Sequence, residues 1–280
     1  MIVYILIIIL ILIIFKLCKL CKVYKETFEN KCLLVLYGES FRDGLSQERK
    51  RDTQFGFENQ MVACDSHLKF IDRIQNEYNI NTDVVISTYN TKYENELKEK
   101  YKNNNLIYKS QSELIGPNGI VHKGIENINY NKYKFILFTR NDVFLKDQFI
   151  NEFILYDKIM YFSQNVTSFD CYMDKNTNII SPSVNPIIMY VPNNYFNIIN
   201  DIDVEHMSWY LLKQKYNYDR NEIGFMLNGH HDSNTFSGWN PYYKLVGRNE
   251  TNNWVDKDKE NTYLKNNSCY KILECDGDHC

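Results

Sequence analysis

The stretch from Tyr133 to Asp147, reading YKFILFTRNDVFLKD, constrains this chain more than any other. Its apolar part, Tyr133 to Phe138, has the length and bulk of a fully buried strand. It stops abruptly at Thr139-Arg140-Asn141-Asp142. Charged side chains at the carboxyl end of a buried strand face the crevice where α/β folds bind ligands. A carboxylate there, as in Asp142, can hold a divalent cation, and such a cation neutralises phosphate oxygens. The competing reading is a strand followed by a polar turn, with Arg140 and Asp142 merely solvated.

The surrounding pattern supports an α/β domain. Cys32 to Tyr37 is an apolar run closed by Gly38, and Asp83 to Ser87 (DVVIS) is a second one. Between them Phe57, Met61, Cys64, Leu68, Ile71, Ile74 and Tyr78 recur at helical spacing, with charge and amide on the opposite face. Tyr93 to Tyr101 predicts a charged surface helix and Asn105 to Tyr108 a short strand, while Ile115-Gly-Pro-Asn-Gly119 reads as a loop. Further strands are expected at Lys158 to Phe162 and Ile187 to Val191, then a helix over Val204 to Tyr216 and irregular chain beyond Gly229. Strands alternating with helices at this spacing predict a largely parallel, Rossmann-type sheet with helices on both faces. At 280 residues, with no internal repeat, the simplest organisation is one such domain over residues 31–280.

Met1 to Phe15 is, after Met1, an unbroken run of Ile, Leu, Val, Tyr and Phe. It falls a little short of the roughly 20 residues that span a hydrocarbon core. Leu17, Cys18, Leu20 and Cys21 extend its apolar surface, and Lys16 and Lys19 can snorkel. No small-residue cleavage site follows, so residues 1–22 read as one transmembrane helix, an uncleaved signal-anchor, with residues 23–30 as connector. This predicts a single-pass protein of an endomembrane, or of a virion or host membrane. The lysines after the run favour a cytoplasmic domain. Glycosylation sequons at Asn165, Asn249 and Asn266 point the other way and to a glycoprotein, but an Asn-rich chain acquires such triplets by chance. The side of the soluble domain stays open.

A net charge of −3 gives no electrostatic footprint for nucleic acid. The 22 Tyr and 16 Phe, together with abundant Asn, Ile and Lys, reflect an AT-biased coding sequence, so single Tyr or Asn residues carry little meaning. The 8 cysteines show no double C-x-x-C pattern of a structural zinc site, and the one at Cys18 and Cys21 sits on the expected anchor.

Three more segments fall where chemistry is expected. Gly38-Glu-Ser-Phe-Arg42-Asp-Gly44 follows the first strand. Its glycine lets backbone approach a ligand, and Arg42 can fork onto a phosphate or carboxylate. It lacks the Gly-Lys-Ser/Thr of a P-loop, and it lacks the spacing that a sulfotransferase would need. Ser87 and Thr88 end the second strand, with hydroxyls suited to a ribose or base, helix capping of the next segment being the plainer reading. His230-His231-Asp232 offers metal-ligand types and a general base, and a polar surface loop is the plainer reading.

Taken together, Asp83-Val-Val-Ile-Ser-Thr88, Phe135-Ile-Leu-Phe-Thr-Arg-Asn-Asp142 and His231-Asp-Ser-Asn-Thr-Phe-Ser-Gly-Trp-Asn-Pro-Tyr-Tyr-Lys244 resemble membrane-anchored glycosyltransferase-like proteins of the GT-A type. The resemblance spans about Lys31 to Arg248. It implies a GT-A-like sheet, a nucleotide-sugar donor, a glycan or protein acceptor, and a divalent cation, Mn²⁺ or Mg²⁺. The family's aspartate-x-aspartate element falls on Arg140 and Asp142, so Arg140 stands where the first acid is expected. On this basis Asp142 and His231, with His230 second, would hold the metal. Gly38, Ser40, Arg42, Ser87, Thr88 and Asp142 would line the nucleotide site. Arg140 would stabilise the leaving diphosphate and Asp232 would deprotonate the acceptor. The alternative is a non-catalytic glycan-binding or structural protein on a decayed transferase fold, which the Arg140 replacement favours.

Overall fold

The computed structural model describes residues 30–43, 50–165, 172–173, 180–181, 184–202, 204, 212, 215–218, 221–230 and 242–246. The expected anchor at residues 1–22, the candidates His231 and Asp232, and most of the helix expected over 204–216 lie outside the described residues. Among the described residues no helix is long and apolar enough to cross a membrane.

The chain forms a mixed α/β fold around one sheet. After β1 (Lys31–Tyr37) come two short strands, β2 (Arg42–Asp43) and β3 (Lys50–Arg51), which pair with each other. Next are α1 (Gln54–Tyr78), β4 (Asn81–Tyr89), α2 (Glu94–Lys100), β5 (Leu106–Gln111) and α3 (Gly116–Ile125). Then β6 (Phe135–Arg140), β7 (Val143–Leu145), α4 (Asp147–Glu152) and β8 (Ile159–Asn165) follow. The later strands are β9 (Tyr172–Met173), β10 (Ile180–Ser181), β11 (Val184–Pro192), β12 (Ile223–His230) and β13 (Tyr243–Leu245).

The central sheet has 7 strands in the order β12-β8-β11-β6-β1-β4-β5. All neighbours are parallel except β11, which runs antiparallel to both β6 and β8. From β1 the chain builds outward to β4 and β5, then returns to place β6 on the other side of β1. That reversal makes the β1–β6 boundary a topological switch point, the kind of place where open α/β sheets bind ligands beyond the carboxyl ends of their strands.

The side-chain alternation of β1 explains the two-sided core. Cys32, Leu34 and Leu36 pack with Val84, Ile86 and Leu137 under Phe70, Ile71 and Ile74 of α1. Leu33, Val35 and Tyr37 pack with Val85, Ile136 and Phe138 under Ile120, Val121 and Ile125 of α3. A strand buried on both faces has to read as a continuous apolar run, as β1, β4 and β6 do. Burying each such aliphatic side chain contributes about 1.5–3 kcal/mol.

Three local expectations are corrected. Residues 115–119 do not form a loop: Gly116-Pro117 open α3, with proline in its first turn. Proline fits there because the missing N–H would have no intrahelical partner. The buried stripe of α1 is also displaced. Gly56, Gln60, Ala63, Cys64, Ser66, His67, Phe70, Ile71 and Ile74 face inward, whereas Phe57, Met61 and Leu68 are only partly buried. The buried face is thus shifted toward the side carrying Gln60, Ala63, His67 and Phe70, with Cys64, Ile71 and Ile74 shared by both stripes. The chain beyond Gly229 is not wholly irregular either, since β13 pairs with β7.

Candidate functional site

The switch-point edge gathers the ends of β1, β4 and β6. Tyr37 and Arg140 are register partners at the ends of the parallel pair β1 and β6, and Ser87 is Tyr37's partner on β4. Beyond them Gly38 turns at φ 102 and Phe41 at φ 56, so the chain leaves β1 through left-handed backbone. Glycine alone enters that region without steric penalty.

Hydrogen bonds hold these ends in one arrangement. Gly38 N donates to Ser87 O at 3.1 Å, and Asn141 N donates to Tyr37 O at 2.8 Å. Asn141 Nδ2 also donates to Gly38 O at 3.0 Å. The Ser40 and Thr88 hydroxyls lie 2.9 Å apart, and Ser40 N donates to Thr88 Oγ1 at 3.2 Å. Of the nucleotide-site candidates, Gly38, Ser40, Ser87, Thr88 and Asp142 therefore share one edge with Arg140. The Ser87 hydroxyl, however, donates to Ile120 O of α3 at 2.6 Å. Gly124 accounts for that closeness, because a Cβ there would meet Ser87 Cβ at 2.7 Å. Arg42 sits on β2, 3.9 Å from a Glu39 carboxylate oxygen.

The charged centre is the pair made by Arg140 and Asp142. Arg140 donates through Nε to Oδ1 at 2.9 Å and through Nη2 to Oδ2 at 2.6 Å, a bidentate fork. The Asp142 side chain is 4% exposed and that of Arg140 26% exposed, so the cation is the member that solvent reaches. Burial opposes the charge on Arg140, but the Asp142 carboxylate, helped by Tyr37 and Glu39, raises the guanidinium pKa. Below the pair, burial pushes the Tyr37 phenol well above its ordinary range, and Tyr37 stays neutral.

Buried polar residues of α1, absent from the sequence reading, fix this segment from behind. Gln60 Nε2 donates to Asn141 O at 2.7 Å while its Oε1 accepts from Phe41 N at 3.2 Å, tying the β1 and β6 loops together. His67 places Nε2 2.7 Å from Val143 O and Nδ1 2.9 Å from the Tyr101 hydroxyl. A carbonyl can only accept, so Nε2 carries the proton. Burial lowers the His67 pKa to about 4, keeping the ring neutral. Ser66 Oγ accepts from Leu145 N at 2.9 Å, and Val246 N donates to Asp142 O at 2.7 Å. The only sequence signal for this ladder was polar residues at positions inside a helical period.

The arrangement tests the expected cation. Both Asp142 oxygens accept from Arg140, and among the described residues no group of three or more His, Cys, Asp or Glu side chains is placed to hold a metal. A divalent ion on Asp142 would sit against the guanidinium, like charge beside like. Strands β8 and β11 also separate β12, which ends at His230, from β6, roughly 14 Å across the sheet. The described residues do not fit a metal site at Asp142. Chemically, the arrangement offers a rigid, partly exposed guanidinium, able to fork onto a second anion.

No protein-family model and no curated protein matches the sequence. Solved structures with a similar course include 4-diphosphocytidyl-2C-methyl-D-erythritol synthase from Anaerococcus prevotii, with TM-score 0.44 and 11% identity over 85% of this chain and 100% of that one. S. aureus TarS aligns with TM-score 0.41 and 13% identity over 77% of this chain and 36% of its own. Its 1–349 fragment has been solved with UDP-GlcNAc. The catalytic domain of Drosophila β1,4-galactosyltransferase 7 aligns with TM-score 0.40 and 11% identity over 82% and 78% of the two chains. Likeness at this level leaves the site geometry to carry any functional argument.

Proposed function

We propose that the chain is a glycosyltransferase with a GT-A-like domain, using a nucleotide-sugar donor and a hydroxyl acceptor on a glycan or protein. The observation that carries this reading is the Arg140–Asp142 fork at the carboxyl edge of the switch point, with Gly38, Ser40 and Thr88 beside it. A guanidinium suits the paired oxygens of a diphosphate, and a switch-point crevice suits a nucleotide. In the proposed reaction the bond from the anomeric carbon to the diphosphate oxygen breaks, and its electron pair leaves with the nucleotide. The acceptor oxygen bonds to that carbon, and its proton passes to a carboxylate, for which Asp232 is the candidate. Arg140 stabilises the charge that grows on the departing diphosphate. Residues 1–22 anchor the domain to a membrane, a proposal resting on their unbroken apolar run.

A second reading is a nucleotide-sugar or glycan-binding protein without turnover. The full engagement of Asp142 by Arg140 favours it, because no free carboxylate is left at that position. Calorimetric titration of the full chain in detergent micelles with UDP and GDP tests both readings. Saturable binding of one nucleotide, followed by its slow release when the protein is incubated with that nucleotide's sugar conjugate, supports the transferase. Binding without any turnover supports the second reading. No binding by the folded protein contradicts both.

A further inference from the structure

Resting on that nucleotide-site reading, we infer that the site neutralises the diphosphate of its ligand with Arg140 itself and needs no divalent cation on Asp142. The charge arrangement comes first. Asp142, the acid expected to hold a metal, is almost fully buried and gives an oxygen to each of two Arg140 nitrogens. The backbone on either side of it is fixed. The Asn141 carbonyl is held by Gln60, the Asn141 N–H by Tyr37, and the Asp142 carbonyl by Val246. The neighbouring acid, Glu39, faces Arg42 and adds to the field that keeps Arg140 charged.

The guanidinium has what the carboxylate lacks. It carries five N–H donors in a planar fork, of which the Asp142 pair uses one on Nε and one on Nη2. It is the more exposed partner and stands at the end of β6, beside the loop that leaves β1. A cation held this rigidly by a buried carboxylate is already oriented before a phosphate arrives. Asp142 is then a positioning residue for Arg140 and not a metal ligand.

The experiment is a titration of the full chain with UDP and GDP, in EDTA and again in excess Mn²⁺, on the wild type and on Asp142→Asn and Arg140→Gln. A wild-type affinity that changes less than about threefold between EDTA and Mn²⁺ is expected. Asp142→Asn, which keeps a hydrogen-bond acceptor and loses the charge, should bind within about tenfold of wild type, still without metal. Arg140→Gln should lose at least about thirtyfold. Binding that appears only with Mn²⁺ and vanishes in Asp142→Asn overturns this inference while leaving the nucleotide site standing. No binding in any condition, by wild-type protein shown to be folded, overturns the nucleotide-site reading and this inference with it. The wild-type comparison of EDTA against Mn²⁺ decides the point even where a variant does not fold.

Discussion

Two carboxylates lie almost fully buried at opposite ends of the same sheet, and their partners differ in kind. Asp83, near the start of β4 and 2% exposed, accepts from the Tyr133 hydroxyl at 2.9 Å, from Asn105 Nδ2 at 3.0 Å and from Lys132 Nζ at 3.4 Å. Its partners come from two segments remote in sequence, so it fastens the amino ends of the strands together. Asp142, 3% exposed, takes its charge partner from Arg140, two residues earlier, while α1 and the β13 segment hold the backbone around it. Asp83 is satisfied mainly by neutral donors. Asp142 exists beside a full positive charge whose outer side meets solvent. Buried acids of equal accessibility thus divide into a staple and a device for orienting a cation. The second lies at the edge where α/β sheets bind ligands.

Breaking the charged pair should have the largest effect. Arg140→Ala leaves Asp142 buried without its cation, which costs about 3–5 kcal/mol, and it abolishes nucleotide binding. Urea unfolding and calorimetry on the same sample check both halves. The next effect follows from acid. His67 supports Val143, next to Asp142, and its pKa is lowered from 6.5 to about 4. The unfolded chain therefore binds the proton first. The stability is fully present above about pH 6.5, falls on acidification toward pH 4, and loses no more to this group below that. The difference is roughly 3 kcal/mol at its full extent. Unfolding midpoints across this range should slope less in His67→Gln than in wild type.

How much of this contrast was legible in the sequence follows from the kind of burial involved. Strands β1, β4 and β6 are covered on both faces, so their apolar runs announce them. The charged end of β6 stands out against its own strand, and Arg140 and Asp142 with it. α3 was misread because Gly116, Pro117 and Gly119 carry the composition of a turn, although proline belongs in a helix's first turn. Strand β12 did not announce itself: among the described residues it pairs only with β8, far away in sequence. Gln60 and His67 did not stand out because periodicity counts apolar residues, whereas the inward face of α1 mixes them with Ala63, Cys64, Phe70, Ile71 and Ile74. Whether Ser87 would face a ligand or α3 depended on where Gly124 packs, and no local pattern holds that information.

Smaller effects sharpen the staple's side of the contrast. Asp83→Ala leaves the Tyr133 hydroxyl and the Asn105 amide without their buried acceptor, at a cost of about 2 kcal/mol. Its nucleotide affinity should match wild type, and a loss of binding would erase the distinction between the two acids. Lys132→Ala removes a partner that is 31% exposed and 3.4 Å away, so it should cost about 0.5 kcal/mol or less in urea unfolding.

Hydrogen–deuterium exchange of the full chain, with and without saturating UDP or GDP, tests the central claim most directly. The account predicts slowed exchange in peptides covering residues 38–43, 87–90 and 140–146, with residues 81–84 and 130–134 unchanged. Protection at the Asp83 end, or none at the Arg140 edge despite measured binding, would contradict it.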